Sequence, residues 1–182
     1  SSNFFPQIAE RMGLYVAEAL DLPLVEAKKE QRRLFLEYGT TLSGLVAERG
    51  IEVDAYAHFL MQVDYGRIPH SPDLVEAVKQ LPGRVLIFTN GFKEHAEACL
   101  DQLGFARDDF EAIADIRTID FKPKPRPIAF ETFFAEHSVD PRRAIFFEDS
   151  PKNLRTAKDL GMMTAHLVTD TAWGNMGLED GN

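Results

Sequence analysis

The run Arg143-Ala-Ile-Phe-Phe-Glu-Asp-Ser-Pro-Lys-Asn-Leu-Arg-Thr-Ala-Lys-Asp-Leu-Gly161 constrains the fold more than any other part of the chain. Ala144 to Phe147 is an apolar run that reads as a buried strand, and it ends in two adjacent carboxylates, Glu148 and Asp149. Ser150-Pro151 then opens a helix, because serine caps well and proline at the first helical position loses no hydrogen bond. Leu154, Ala157 and Leu160 recur along one face of that helix. Neighbouring carboxylates at the end of an apolar strand are costly unless a cation or a proton lies between them. Open α/β sheets bind ligands at the carboxyl ends of their strands. The functional site is therefore expected here.

The remaining pattern divides in two. Up to about residue 65 the apolar residues fall at helical spacing. Ile8, Met12, Tyr15, Val16 and Ala19 mark a first helix, and Leu24, Ala27, Leu34 and Tyr38 a second that stops at Gly39. A short third helix carries Leu42, Leu45 and Val46 and stops at Gly50. Tyr56, Phe59, Leu60 and Val63 mark a fourth. From Ser71 onward helix and strand alternate. Arg84 to Phe88, Ala112 to Asp115, Ala144 to Phe147 and Thr164 to Val168 are the expected strands, and Pro125 is expected to open the helix bearing Phe130 and Phe133. Such alternation predicts a parallel sheet with helices on both faces. The expected division is a helical lobe over residues 1–68 and an α/β core over 69–182.

Charge and composition exclude some partners. The chain has 182 residues and a formal net charge of −9, which argues against a nucleic-acid polymer or an anionic membrane surface as the main partner. No apolar run approaches the roughly 20 residues that span a bilayer, and no basic-then-apolar leader precedes the first helix, so a cytoplasmic setting is the default. The single cysteine, Cys99, shares an apolar helical face with Ala96, Leu100 and Leu103, which predicts a core thiol rather than a nucleophile. The five histidines have no ligand-like spacing, and none is assigned to a metal. Trp173 lies in a polar, Gly-rich tail and is a candidate cover for an apolar edge. Oligomeric state is not legible.

Three loops that follow strands carry polar residues: Thr89-Asn90, Lys124, and Glu148-Asp149. A hydroxyl, an amide, an ammonium and paired carboxylates together suit a phosphoryl group with a divalent cation. Mg²⁺ suits a small carboxylate set completed by water and substrate oxygen. Each piece also has a structural explanation. Thr-Asn-Gly after a strand is commonly a turn, a lysine before proline is commonly a solvated charge, and Asp-Ser-Pro is a common helix start where the dipole favours carboxylates.

The ordered set resembles motifs two, three and four of the haloacid dehalogenase (HAD) superfamily of phosphohydrolases. Leu86-Ile-Phe-Thr-Asn90 is similar to motif two. Lys124-Pro-Arg-Pro-Ile-Ala-Phe130 is similar to motif three, a Lys-Pro with an aromatic six residues after the lysine. Lys122-Pro123 is a competing register, but only Lys124 places Phe130 at that spacing. Phe146-Phe-Glu-Asp-Ser-Pro-Lys-Asn153 is similar to motif four. The helical lobe resembles the superfamily's cap. Tyr38-Gly-Thr-Thr-Leu-Ser-Gly-Leu45, together with Thr89-Asn90-Gly-Phe-Lys-Glu-His95, resembles the pyrimidine 5′-nucleotidase branch.

The resemblance implies an α/β fold with a Rossmannoid parallel sheet and a small helical cap. It implies a Mg²⁺-dependent phosphatase that works through an aspartyl-phosphate on a small phosphorylated substrate, a pyrimidine nucleoside 5′-monophosphate. Thr89 and Asn90 would bind the phosphoryl group, and Lys124 would stabilise the nucleophile's charge. Asp149 would ligate Mg²⁺ directly, with Glu148 acting on the metal directly or through water, and Ser150 and Asn153 behind them. Tyr38, Thr40 and Thr41 would face the leaving group; equally, Tyr38 is core and Thr40 a helix cap. The alternatives are another small-phosphate hydrolase or phosphomutase, such as one acting on phosphoglycolate, and a non-catalytic interaction protein. A metal-free dehalogenase is disfavoured by the Glu148-Asp149 pair. The sequence departs from the family at one point: it carries no Asp-x-Asp motif. The nucleophile is accordingly expected upstream of Ser1, and residues 1–182 alone are not expected to turn over by this mechanism.

Overall fold

Helix ends in this chain fall where the backbone cannot continue. Helix α1 (Phe5–Leu20) has proline in its first turn and ends at Asp21, α2 (Leu24–Tyr38) starts after Pro23, and Gly39 closes α2 with a φ of 86°. Helix α3 (Thr41–Arg49) is capped by Thr40, whose side chain accepts the Ser43 N–H, and α4 (Val53–Leu60) follows. Val63, expected in this last helix, lies beyond it. These four helices pack on one another. Gly44 is required where α3 crosses α2, because a Cβ there would sit 2.9 Å from the Leu34 Cβ and 3.0 Å from the Tyr38 ring.

The computed structural model describes residues 4–168; Trp173 and the tail lie outside them. The described residues form two compact units, divided between Phe121 and Lys122. After α4 the first unit continues with α5 (Pro72–Lys79), strand β1 (Leu86–Phe88), α6 (Lys93–Leu103) and strand β2 (Ala112–Ala114). Strands β1 and β2 are parallel, with Leu86, Ile87 and Phe88 opposite Ala112, Ile113 and Ala114. The second unit holds α7 (Pro127–His137), β3 (Ile145–Glu148), α8 (Pro151–Asp159) and β4 (Met163–His166). Strands β3 and β4 are also parallel, from Ile145 opposite Met163 to Glu148 opposite His166. The alternation and the parallel pairing are as expected.

Four local expectations are corrected. Pro127 opens α7, not Pro125. Arg126 precedes a proline and is extended at φ −60°, ψ 130°, as crowding from the proline ring demands. Ser150 precedes α8 but makes no side-chain capping bond. The last strand starts at Met163 and ends at His166, a residue or two before the expected span. Strand β3 is not buried throughout: Ile145 and Phe147 are 47% and 46% exposed. Strand residues alternate between faces, and within this unit the covered face is that of Phe146, whose ring meets Phe130 edge-on at 5.7 Å. Strand β1 is likewise only half-buried.

An apolar-polar cluster ties α6 to the residues after α4. The Tyr65 hydroxyl lies 2.8 Å from Nδ1 of His95, Cys99 Sγ lies 3.8 Å from its Nε2, and Phe4 stacks on the imidazole at 5.9 Å. Burial pushes the Cys99 thiol up to about 11, so it is a half-buried neutral thiol and not a thiolate. Burial also lowers the His95 pKa below its ordinary 6.5. The unfolded chain therefore takes up a proton at a pH where the folded protein does not. The stability this contributes is complete above about pH 6.5 and is lost as pH falls below it toward the folded pKa. The urea midpoint is expected to drop between about pH 7.5 and pH 5.5, and the drop to shrink in His95→Gln. Equal drops in the two proteins would assign the effect to another group.

Candidate active site

The end of β3 gathers charge from three segments of the second unit. Glu148 Oε1 accepts the backbone N–H groups of Asp149 at 3.1 Å and Ser150 at 3.2 Å. Its Oε2 accepts Lys124 Nζ at 3.0 Å and Asn153 Nδ2 at 3.0 Å. A carboxylate offers about four lone-pair sites, so Glu148 is fully engaged. It also anchors the start of α8 from the strand side, in place of the capping bond expected from Ser150.

Lys124 is 6% exposed. Its ammonium lies 5.0 Å from the centroid of the Phe146 ring, and Phe130 meets that ring edge-on. This explains the spacing of six between the lysine and the aromatic: the first turn of α7 turns Phe130 back under the strand residue that cradles the ammonium. Thr156 on α8 donates its hydroxyl to the Pro125 carbonyl at 2.9 Å and holds the lysine loop. Lys122, by contrast, is exposed.

The electrostatics follow from one cation facing two carboxylates. Burial works to raise the Glu148 carboxyl, but the Lys124 charge and the N–H donors outweigh it and hold it at about 2. Burial lowers the Lys124 ammonium against the pull of Glu148 and Asp149. Its hydrogen bond to Glu148, then burial, then the Glu148 charge all raise Asp149. With both carboxylates ionised the cluster holds one negative charge more than its lysine neutralises, and Asp149, whose carboxyl is raised, is the member that takes up a proton first.

Thr89 and Asn90 belong to the first unit, at the end of β1. Thr89 Oγ1 accepts the Gly91 N–H at 2.9 Å, which leaves its own O–H free to donate. The Thr89 N–H is bonded to the Ala114 carbonyl at 2.9 Å. At the α2–α3 junction the hydroxyls already have tasks. Tyr38 bonds Glu48, and that bond raises the phenol pKa. Thr40 donates to Ser43 Oγ at 2.7 Å, which in turn donates to the Phe121 carbonyl at 2.9 Å. Thr41 is 3% exposed.

Asp115 is a residue that the sequence pattern did not single out. It is 5% exposed and accepts bonds from Lys93, Arg117 and Thr118. Burial works to raise its pKa, but these donors and the Arg117 charge outweigh it, so the net shift is down. The available signal was an acid ending a strand beside a helix whose cap position, Phe92, has no acceptor.

Comparison with known proteins supplies the family. Residues 8–161 match the family described as haloacid dehalogenase-like hydrolase. Phosphate metabolism protein 8 of Saccharomyces cerevisiae is 31% identical over 166 residues, 80% of this chain and 50% of that protein. Validoxylamine A 7′-phosphate phosphatase of Streptomyces hygroscopicus subsp. limoneus is 28% identical over 126 residues, 68% of this chain and 57% of that protein. The chain thus spans about half the length of these curated relatives. The structure of L-2-haloacid dehalogenase from Xanthobacter autotrophicus has a TM-score of 0.54 at 16% identity, covering 96% of this chain and 69% of that one. A HAD family enzyme from Bacteroides thetaiotaomicron, in complex with magnesium and inorganic phosphate, has a TM-score of 0.53 at 17% identity, covering 92% and 86%. These structures share the fold. With the family match extending over most of its length, the chain belongs to the haloacid dehalogenase-like hydrolases.

Proposed function

We propose that this chain carries the phosphoryl-binding and metal-binding residues of a Mg²⁺-dependent phosphomonoesterase acting on a nucleoside 5′-monophosphate, a pyrimidine nucleotide in the first instance. The observation that carries the reading is the buried Lys124 ammonium held 3.0 Å from Glu148, with the Asp149 carboxyl next to Glu148 at the end of β3. The donor chemistry fits Mg²⁺. Asp149 offers a hard carboxylate oxygen, and Mg²⁺ takes one or two carboxylates and completes its shell with water and substrate oxygen. Asp149 would hold the ion. Glu148, with its oxygens engaged, would act through its hydrogen bonds. When bound, the ion supplies charge neutralisation for the phosphoryl oxygens.

The chain's own residues have separable tasks. Thr89 donates its hydroxyl to a phosphoryl oxygen, with Asn90 beside it. Lys124, kept charged by Glu148, stabilises the negative charge of the attacking carboxylate. Asn153 and the backbone at the α8 N-terminus hold the Glu148 carboxylate in place and would leave Asp149 as the ligand of a bound ion. Residues 1–68 form the cap. Tyr38, Thr40 and Thr41 select the leaving group by shape, since their hydroxyls are engaged or buried. The nucleophile implied by the resemblance is an aspartate of an Asp-x-Asp motif, which residues 1–182 do not contain.

The test uses the full-length protein. Phosphate release from UMP, CMP, AMP and phosphoglycolate is measured with Mg²⁺ and with chelator. The expected result is Mg²⁺-dependent release, fastest from UMP or CMP. Turnover without a divalent ion would overturn the mechanism. A preference for phosphoglycolate would move the assignment to a small non-nucleotide phosphate ester, a class the relative named as a validoxylamine A 7′-phosphate phosphatase keeps in view. No turnover on any ester would favour a non-catalytic interaction role.

A further inference from the structure

We propose that Asp115 is a positioning residue for the phosphoryl group: its carboxylate caps α6 from the neighbouring strand and fixes the loop that presents Thr89. The inference rests on the reading of Thr89 as a phosphoryl ligand.

Helix α6 starts at Lys93, and its cap residue is Phe92, which makes no side-chain bond. The first N–H groups of any helix lack intrahelical acceptors. Here Asp115 Oδ2 accepts the Lys93 N–H at 3.1 Å. The other oxygen accepts the N–H groups of Arg117 at 3.0 Å and Thr118 at 3.1 Å, and the Thr118 hydroxyl lies 3.3 Å from it. Arg117 Nη1 adds a contact to Oδ2 at 3.2 Å. A negative charge at the start of a helix is also favoured by the helix dipole.

The loop so held is short. It begins at Thr89, whose N–H bonds the Ala114 carbonyl at 2.9 Å, and Gly91 accepts the Ile116 N–H at 3.1 Å. Asp115 supplies the third anchor, at Lys93. Both ends of the segment bearing Thr89 and Asn90 are thereby tied to the last residue of β2 and the residues just after it. The other ionic contacts nearby contribute less. Arg117 reaches Asp54 at 3.1 Å, but that aspartate side chain is 94% exposed, and such pairs count for little in water.

The experiment measures binding of inorganic phosphate to the full-length protein by calorimetry at saturating Mg²⁺. Asp115→Asn keeps an oxygen for Arg117 and Thr118 but sets an amide against the Lys93 N–H. Lys93→Pro removes that N–H and, with the side chain, only the exposed 3.9 Å contact to Glu97, at a helical position that tolerates proline and after a residue already extended at φ −86°, ψ 148°. Each change is expected to weaken phosphate binding about fivefold, the size of a lost helix cap. The double variant should be no weaker than either single one. In a Thr89→Ala background, itself at least about tenfold weaker, Asp115→Asn should add nothing, because it acts through Thr89. An additive effect, as a merely structural residue would give, overturns the proposal. So does unchanged phosphate binding in both Lys93→Pro and any folded Asp115→Asn protein while Thr89→Ala weakens it. If Thr89→Ala leaves binding unchanged, the reading of Thr89 fails, and this inference falls with it.

Discussion

In the full-length protein, Lys124→Met is expected to lower the rate of phosphate release by about 10²- to 10³-fold, the range for removing one preorganised charge-stabilising group. It should also cost about 3–5 kcal/mol of stability, because it leaves Glu148 as an unpaired buried carboxylate. The two effects have different origins and can be separated. Lys124→Met combined with Glu148→Gln removes both members of the 3.0 Å pair and is expected to recover much of the stability but none of the activity. Denaturant unfolding and steady-state phosphate release report the two. Wild-type turnover in a folded Lys124→Met protein would remove Lys124 from the site. Failure of the double variant to regain stability would mean that the pair is not what holds the lysine loop.

The second large effect is expected at Asp149. Asp149→Asn should abolish most of the Mg²⁺-dependent rate, a loss of several kcal/mol of transition-state stabilisation, or on the order of 10³-fold. Glu148→Gln should cost less, about 10- to 100-fold, as expected of a group that orients a ligand without being one. Stability should move the other way. The Asp149 pKa is raised by its neighbour, so ionised Asp149 is a cost to the metal-free protein, and Asp149→Asn should leave that form at least as stable at neutral pH. Mg²⁺ should raise the melting temperature of the wild type but not of Asp149→Asn. If Glu148→Gln proves the more damaging to Mg²⁺ binding, the roles of the two carboxylates are exchanged.

These two predictions depend on features of different legibility. The pairing of a lysine with an acidic strand end was visible in the motifs, and the choice of Lys124 over Lys122 followed from where Phe130 falls. The structure supplies the reason, a Phe130–Phe146 contact that seats the ammonium. Which of two adjacent carboxylates would be consumed by hydrogen bonds was not visible. Glu148 and Asp149 have nearly the same chemistry, and the difference lies in donors brought from Lys124, 24 residues away, and from Asn153. Asp115 was passed over for the same reason. Its partner Lys93 lies 22 residues earlier, and no local pattern marks a cap supplied from another strand.

By itself the sequence determined the order of elements, the parallel character of the strands and most helix boundaries. It could do so because those features are set by short-range physics. Proline restricts its own φ and that of the residue before it, glycine reaches left-handed dihedrals, and apolar periodicity selects helix or strand. Even the misplaced start of α7 obeys a local rule, the extended Arg126 before Pro127. Only the tertiary structure decided which face of β3 is covered, why Lys124 is buried, and which donors reach Glu148 and Asp115. Those outcomes depend on which donors and rings reach a side chain once distant segments have packed. That is a property of the three-dimensional arrangement, and no window of neighbouring residues encodes it.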